Sequence, residues 1–175
     1  MTRSLTRSPV PSLAGTTYEE YVANRWATLY RTAYLMTGNH ADAEDVVQTA
    51  LVKVYAAWSK VTAADAPEAY VRRILTNTFL SSRRPLRVAR ERLVDRLPES
   101  PVTTGGPEDR LSIWPHVASL PPKQRAVVVL RYYEDLSEQQ IADALGCSTG
   151  TVKSNASLAL KSLKARMSAA EGEVR

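Results

Sequence analysis

The residues from Ser148 to Lys161 combine small hydroxyl side chains with two lysines, a set that suits hydrogen bonds to DNA bases and ionic contacts to phosphates. Apolar residues recur through this stretch at steps of three and four, which predicts a helix with one buried face. They are Val152, Ala156, Ala159 and Leu163. The polar face left over is Ser148, Thr149, Thr151, Lys153, Ser154, Ser157 and Lys161. We call these seven residues the recognition surface.

A second, shorter helix is predicted immediately before this one. Ser137 and Gln140 have the spacing of a capping box, and Leu136 can pack onto Ile141 one turn later. Gly146 can adopt the left-handed conformation that ends a helix. Two helices separated by a glycine turn are typical of a helix-turn-helix, in which the start of the second helix enters the major groove. The alternative is an amphipathic helical hairpin with a solvated polar face.

An arginine-rich segment lies upstream of the helix-turn-helix. Residues 69–96 contain eight arginines and two acidic residues, a balance that suits a polyanionic partner. A helix is predicted from Pro67 to Arg84, with an outward face of Arg72, Arg73, Thr76, Asn77, Ser81, Arg83 and Arg84. Arginines beside an asparagine can hold phosphates and contact bases. We call Arg73, Asn77, Ser81, Arg83 and Arg84 the basic strip; its alternative interpretation is a solvated charged face.

A third candidate surface lies on a helix predicted from Ala41 to Trp58. One side is a core stripe of Ala43, Val46, Val47, Ala50, Leu51, Val54, Tyr55 and Trp58. The opposite side carries Asp42, Asp45, Gln48, Thr49 and Val52, which we call the acidic ridge. A ridge of this kind can bind a basic protein surface. Acidic residues in a first turn can also simply complement the helix dipole, worth about 0.3–1 kcal/mol each.

The elements that position these residues are all predicted to be helices, because no segment shows the alternation of a strand. A first helix is expected from Tyr18 to Met36, begun by a capping box of Thr17 and Glu20. Its predicted buried face is Val22, Trp26, Leu29, Ala33 and Met36. We predict an all-α fold of two small helical domains joined by a flexible linker. The predicted segments are a tail at 1–16, a first domain at 17–92, a linker at 93–109, a second domain at 110–168 and a tail at 169–175.

The linker composition predicts how the two domains are connected. Residues 97–109, LPESPVTTGGPED, are rich in Pro, Gly and acidic residues and offer little to bury. We therefore expect the two lobes to be tethered at an adjustable distance.

Several classes of protein are not supported by this composition. The single cysteine, Cys147, excludes an internal disulfide and a cysteine-based zinc cluster. His40 and His116 lack partners at metal-ligand spacing, and no catalytic constellation is present, so we expect neither an enzyme nor a metal or other cofactor. No apolar run reaches the length of a membrane span or of a secretion signal. We therefore expect a cytoplasmic protein without membrane insertion.

With these residues in view, the chain resembles bacterial alternative sigma factors of the extracytoplasmic-function (ECF) type, and most closely the actinobacterial SigE-like subfamily. The resemblance rests on three motifs in the family's order. They are DAEDVVQTALVKVY at 42–55, AYVRRILTNTFLSSRR at 69–84 and LPPKQRAVVVLRYYEDLSEQQIADALGCSTGTVKS at 120–154.

The resemblance implies a partner for each surface. The acidic ridge would bind core RNA polymerase, and the basic strip would hold the minus-ten promoter element. The loop from Val61 to Ala66 would receive a base flipped out of the DNA, and the recognition surface would read the minus-thirty-five element. Sigma factors of this kind are often held by an anti-sigma factor, which is a further candidate partner.

Two other functions remain open from the residues alone. A stand-alone transcriptional regulator would use the helix-turn-helix on an operator and the first lobe to dimerise, which should leave a large apolar patch exposed. A pure interaction module, such as an inactive sigma-like decoy, would keep its function when Arg73 and Asn77 are replaced.

Overall fold

The computed structural model describes residues 12–83 and 113–172, and within these ranges the regular structure is helical, without strands. The first lobe contains α1 (Tyr18–Thr37), α2 (His40–Ala56), α3 (Trp58–Ala63) and α4 (Pro67–Ser82). The second contains α5 (Trp114–Ala118), α6 (Pro122–Val128), α7 (Glu138–Leu145) and α8 (Thr149–Gly172). A π-helical turn at Val129–Tyr133 continues α6. The prediction of an all-α fold is confirmed.

The first lobe is a bundle in which α1 and α4 both pack against α2. The Thr17 and Glu20 capping box begins α1, and Gly38 ends it with a φ of 84°. Asn39 caps α2 by accepting a hydrogen bond from the backbone N–H of Asp42. These caps fix where α1 and α2 start and where α1 ends. Ala33, Val47 and Leu75, one each from α1, α2 and α4, lie together in the core.

The second lobe has the predicted helix-turn-helix. Ser137 and Gln140 form both hydrogen bonds of a capping box, and Gly146 ends α7 with a φ of 62°. The Ser148 hydroxyl accepts a hydrogen bond from the backbone N–H of Thr151 at the start of α8. Ile141 and Val152 are fully buried, so α7 and α8 meet through the apolar faces that the periodicity predicted.

We predict a modest loss of stability on replacing Ser137 with alanine. The substitution removes the acceptor for the Gln140 N–H, which lies 3.2 Å from the Ser137 hydroxyl, and loss of such a cap costs about 1 kcal/mol. Urea denaturation followed by circular dichroism measures the change. Ser154→Ala is the control, since Ser154 is exposed within α8 and alanine favours a helix interior. Equal stability of the Ser137 variant and the native protein would contradict the prediction.

Some residues lie elsewhere than the sequence predicted. Tyr55 was expected in the core but is 63% exposed, and Trp26 is 36% exposed. Leu13, within the predicted N-terminal tail, is buried in the core. Helix α8 also extends to Gly172, into the predicted C-terminal tail. Periodicity gave the approximate helix face of Tyr55 and of Trp26. A residue at the edge of such a face is buried only if a neighbouring element covers it.

The two lobes pack directly against each other, with α7 against α4, and with α5 and the π-helical turn against α1. Thr76, predicted on the outward face of α4, is fully buried. The expectation of lobes held at an adjustable distance does not describe this arrangement. The predicted linker itself, 93–109, lies outside the described residues.

Candidate functional site

The acidic ridge is presented to solvent along α2. Asp45, Gln48, Thr49 and Val52 are all exposed, and Val52 keeps 68% of its surface accessible. The opposite face of the helix is buried through Val46, Val47, Ala50, Leu51 and Val54. In the described parts of the chain, no hydrogen bond or ion pair occupies the Asp45 carboxylate. An exposed carboxylate on a rigid, well-packed helix can accept a basic side chain from a partner.

Asp42, at the start of the ridge, is held differently. Its Oδ2 accepts hydrogen bonds from Asn39 Nδ2 at 2.9 Å and from Arg83 Nη2 at 2.8 Å, and 48% of its side chain is exposed. The structure therefore joins a predicted member of the acidic ridge to a predicted member of the basic strip. A partner that binds Asp42 must share or displace the guanidinium of Arg83.

Tyr55 extends the acidic ridge beyond the residues that the sequence identified. It lies one turn after Val52 on the same exposed side of α2, and its ring meets the edge of Tyr18 at a centroid distance of 5.0 Å. The Tyr18 hydroxyl donates to the carbonyl of Leu51, which fixes that contact. The spacing from Gln48 to Val52 to Tyr55 could have indicated this position, but the hydrophobic character of tyrosine favoured the core assignment.

Three residues of the basic strip remain on the open face of α4. Arg73, Asn77 and Ser81 follow one another at steps of four residues, and each is exposed. This spacing keeps them aligned along one side of the helix. Arg84 lies outside the described residues. The exposed part of the strip can contact phosphates and base edges of a nucleic acid.

Arg83 does not share that exposed face. Its Nη2 reaches both Asp42 Oδ2 and the carbonyl of Thr37, the second at 3.4 Å, and its guanidinium lies 5.7 Å from the Phe79 ring centroid. Only 18% of the side chain is exposed. In this arrangement Arg83 stabilises the lobe and is not presented to a ligand.

The segment expected to receive a flipped base is shorter than predicted. Val61 and Ala63 belong to α3, and Val61 is fully buried. Only residues 64–66 connect α3 to α4 without helical structure. Within α3, Val61 packs into the core, a tertiary contact that the local sequence did not reveal.

The recognition surface lies at the start of α8 and along its solvent side. All its members are exposed except Thr149, which is half-buried. Thr151 is oriented from two sides, since its hydroxyl lies 3.0 Å from that of Ser148 and its carbonyl accepts from Asn155 Nδ2 at 2.9 Å. A preorganised first turn of this kind can hydrogen-bond to base edges in a major groove.

Lys153 is connected to α7 through Glu138. The Glu138 carboxylate lies 3.0 Å from Arg131 Nη1 and 3.5 Å from Lys153 Nζ. The hydrogen bond from Arg131 and the positive charge of Lys153 lower the pKa of Glu138. Lys153 keeps 65% of its side chain exposed, so it can still reach a phosphate. The sequence analysis did not identify Glu138 or Arg131 as part of this site.

No helix among the described residues is long and apolar enough to cross a membrane.

Each lobe matches the model of a known protein family. Residues 24–95 match the model of Sigma-70 region 2, and residues 117–163 match that of Sigma-70, region 4. The first match contains the acidic ridge and the basic strip, and the second contains the helix-turn-helix.

Curated proteins with similar sequences are named as RNA polymerase sigma factors. The RNA polymerase sigma-E factor of Streptomyces coelicolor is 38% identical over 160 residues, covering 90% of each chain. The ECF RNA polymerase sigma factor SigL of Mycobacterium tuberculosis is 33% identical over 153 residues, covering 84% of each chain.

Solved structures share the fold. The sigma factor RpoE of Bartonella quintana, in complex with the anti-sigma factor NepR, matches with a TM-score of 0.67 at 24% identity, over 86% of this chain and 96% of that one. CnrH, in complex with the cytosolic domain of CnrY, matches with a TM-score of 0.59 at 22% identity, over 90% of this chain and 93% of that one. The two family matches and the sigma-E and SigL relatives show that the chain belongs to the sigma-70 family of RNA polymerase sigma factors, within its ECF group.

Proposed function

We propose that this protein is an alternative sigma factor that binds core RNA polymerase through the acidic ridge and directs it to promoters with two recognised elements. The observation that carries this proposal is that one chain of the ECF group presents an exposed acidic ridge on α2 and two separate exposed polar faces with basic residues, on α4 and α8. It acts in the cytoplasm and catalyses no reaction itself.

Each surface has a role in this proposal. Asp42, Asp45, Gln48, Thr49 and Val52 bind a basic surface of the polymerase, and Tyr55 adds an aromatic contact. Arg73, Asn77 and Ser81 hold the minus-ten element, joined by Arg84, whereas Arg83 keeps its pairing with Asp42. The recognition surface on α8 contacts the minus-thirty-five element. Polymerase binding and the minus-ten contact both belong to the first domain, residues 17–92. The minus-thirty-five contact belongs to the second domain, residues 110–168.

The surface properties of the first lobe favour this function over a stand-alone regulator. Asp45 and Gln48 are exposed on α2 beside Val52 and Tyr55, so the ridge is a mixed acidic and apolar strip and not a broad apolar face. Such a strip suits a basic protein partner better than a second copy of the same lobe. An anti-sigma factor is a further partner of the same class, since the RpoE neighbour was solved with one.

Transcription with purified components tests the proposal. The chain is mixed with sigma-free core polymerase and a pool of genomic promoter fragments, and transcript starts are mapped. We expect defined starts that neither component produces alone, with two shared sequence elements upstream. DNA binding by the chain alone, without polymerase-dependent transcripts, would instead support the stand-alone regulator.

A further inference from the structure

The boundary between the two lobes is held by a buried arginine. Arg125, on α6 of the second lobe, is 9% exposed. Its Nη1 donates to the carbonyls of Met36 at 2.8 Å and Thr37 at 3.4 Å, both at the end of α1 in the first lobe. Its Nη2 donates to the carbonyl of Leu120 at 2.9 Å, within its own lobe. One guanidinium thus bonds to both lobes.

The end of α1 needs such a cation. The last carbonyls of a helix lack partners within the helix and carry a partial negative charge. The last turn of α1 contains no basic residue of its own. Arg83 of the first lobe reaches only the Thr37 carbonyl, so Arg125 supplies from the second lobe the cation that binds the carbonyl of Met36 as well.

Arg125 also depends on the first lobe for compensation of its burial. Desolvation, together with the nearby positive charge of Arg83, lowers its pKa to about 10. The groups that offset this cost include the Phe79 ring, whose centroid lies 6.0 Å from the guanidinium, and the carbonyls of α1. Because these groups belong to the first lobe, the favourable environment of Arg125 exists only while the lobes are in contact.

A second polar contact crosses the same boundary. Glu134, at the end of the π-helical turn, accepts a hydrogen bond from the Thr32 hydroxyl on α1 and lies 3.7 Å from Arg72 Nη2 on α4. The side chains of Arg72 and Glu134 are 20% and 17% exposed. The turn places Glu134 there by a bond from its N–H to the carbonyl of Val129. Neither Arg72 nor Glu134 belongs to the surfaces assigned to polymerase or DNA.

This packing keeps the two DNA-binding faces close together. Helix α7 contacts both α4 and α8, so those two helices approach within about 20 Å, twice the usual distance between packed helices. Elements centred near positions minus ten and minus thirty-five lie roughly 25 base pairs apart, or about 85 Å along B-form DNA. The packed arrangement cannot place both faces on their elements at once.

We propose that Arg125 and Glu134 form an interlobe latch that holds the free sigma factor closed, and that binding to core polymerase separates the lobes. The proposal rests on the proposed function, because it explains how a chain that needs two separated promoter contacts is kept from making them alone. The acidic ridge adjoins the latch through Arg83, which contacts both Asp42 and the carbonyl of Thr37. A basic polymerase side chain at Asp42 competes with Arg83 and so disturbs the same carbonyls that Arg125 binds.

An engineered disulfide tests whether the lobes must separate. A Cβ atom at Gly38 would lie 3.1 Å from Cβ of Ala118, close to the spacing of about 3.5–4.5 Å in disulfides. Gly38→Cys and Ala118→Cys are combined with Cys147→Ser, which removes the native thiol. We expect the oxidised chain to support at least ten-fold less promoter-dependent transcription than its reduced form, with recovery on adding reductant. Each single cysteine variant, treated in the same way, is the control, and the Gly38→Cys variant alone shows the effect of the strain that a side chain causes at the φ of 84° there.

The rate at which this disulfide forms then reports the closed population and tests the latch residues. Arg72→Glu and Glu134→Arg should each slow disulfide formation several-fold, and their combination should restore it. Glu138→Arg is the matched control, since it makes the same charge reversal in the second lobe on a residue paired within that lobe. In the chain that carries the cysteine substitutions but keeps Arg72 and Glu134, adding core polymerase should slow disulfide formation.

The outcomes separate the latch from the proposed function. Full transcription by the cross-linked chain, or unchanged rates in both single charge variants, would overturn the latch while leaving the sigma function intact. Failure of the native chain to direct transcription would overturn the proposed function itself.

Discussion

Replacing Asp45 with lysine should weaken binding to core RNA polymerase about 100-fold. The ridge carboxylate is exposed on α2, where a basic partner can pair with it, and placing like charges in contact at an interface costs several kcal/mol. A factor of ten in affinity corresponds to about 1.4 kcal/mol, so the reversal of one central charge accounts for two such factors. Titration of labelled sigma factor with core polymerase at fixed salt concentration measures the change.

Glu44→Lys provides the matched control for this experiment. Glu44 is exposed on the same helix and makes the same charge change, but its side chain points about 100° away from that of Asp45. We expect its effect to be less than three-fold and to decrease as salt is added. Equal losses for the two variants would indicate a general electrostatic attraction in place of a defined ridge, and native affinity for Asp45→Lys would rule Asp45 out as a contact.

Replacing Arg73 and Asn77 together with alanine should reduce promoter-dependent transcription about 100-fold while leaving polymerase binding unchanged. Both side chains are exposed on α4 and neither supports the core, so the fold should tolerate their removal. Each well-made contact to a base is worth about 1–3 kcal/mol, and two contacts together support a loss of this size. Run-off transcription and polymerase titration are measured on the same preparations.

Arg31→Ala controls for the loss of positive charge from the first lobe, because Arg31 is exposed on α1 and lies outside the basic strip. A template with a premelted minus-ten region separates two roles of the strip. Recovery of transcription on that template would show that Arg73 and Asn77 act in strand opening, whereas continued loss would show that they contact the separated strand. Native activity of the double variant on duplex DNA would exclude both roles.

Local signals in the sequence were sufficient for most of the fold. The capping residues Thr17 and Ser137, and the terminating glycines Gly38 and Gly146, act through bonds to neighbouring residues or through backbone conformations that glycine favours. The buried faces of α2 and α8 follow from periodicity alone. The predictions for these features are therefore confirmed within one or two residues.

The sites were predictable to a lesser degree. The exposure of Asp45, Gln48 and Val52 agrees with the helical pattern, as does that of Arg73 and Asn77. Helical spacing did not reveal that Arg83 turns toward Asp42, or that Glu138 joins Arg131 to Lys153. Those contacts connect different helices, and their partners are chosen by how the helices pack.

The sequence by itself determined the longer helices of the first lobe, the helix-turn-helix, the family and the residue types on each exposed face, because caps, periodicity and motif spacing are properties of short segments. Only the tertiary structure decided which outward-facing residues remain exposed. It buried Thr76, exposed Tyr55, and placed Arg125 on the carbonyls of Met36 and Thr37. The physical reason is that burial and pairing across a boundary depend on residues some ninety positions apart in the chain, whose approach no local pattern encodes.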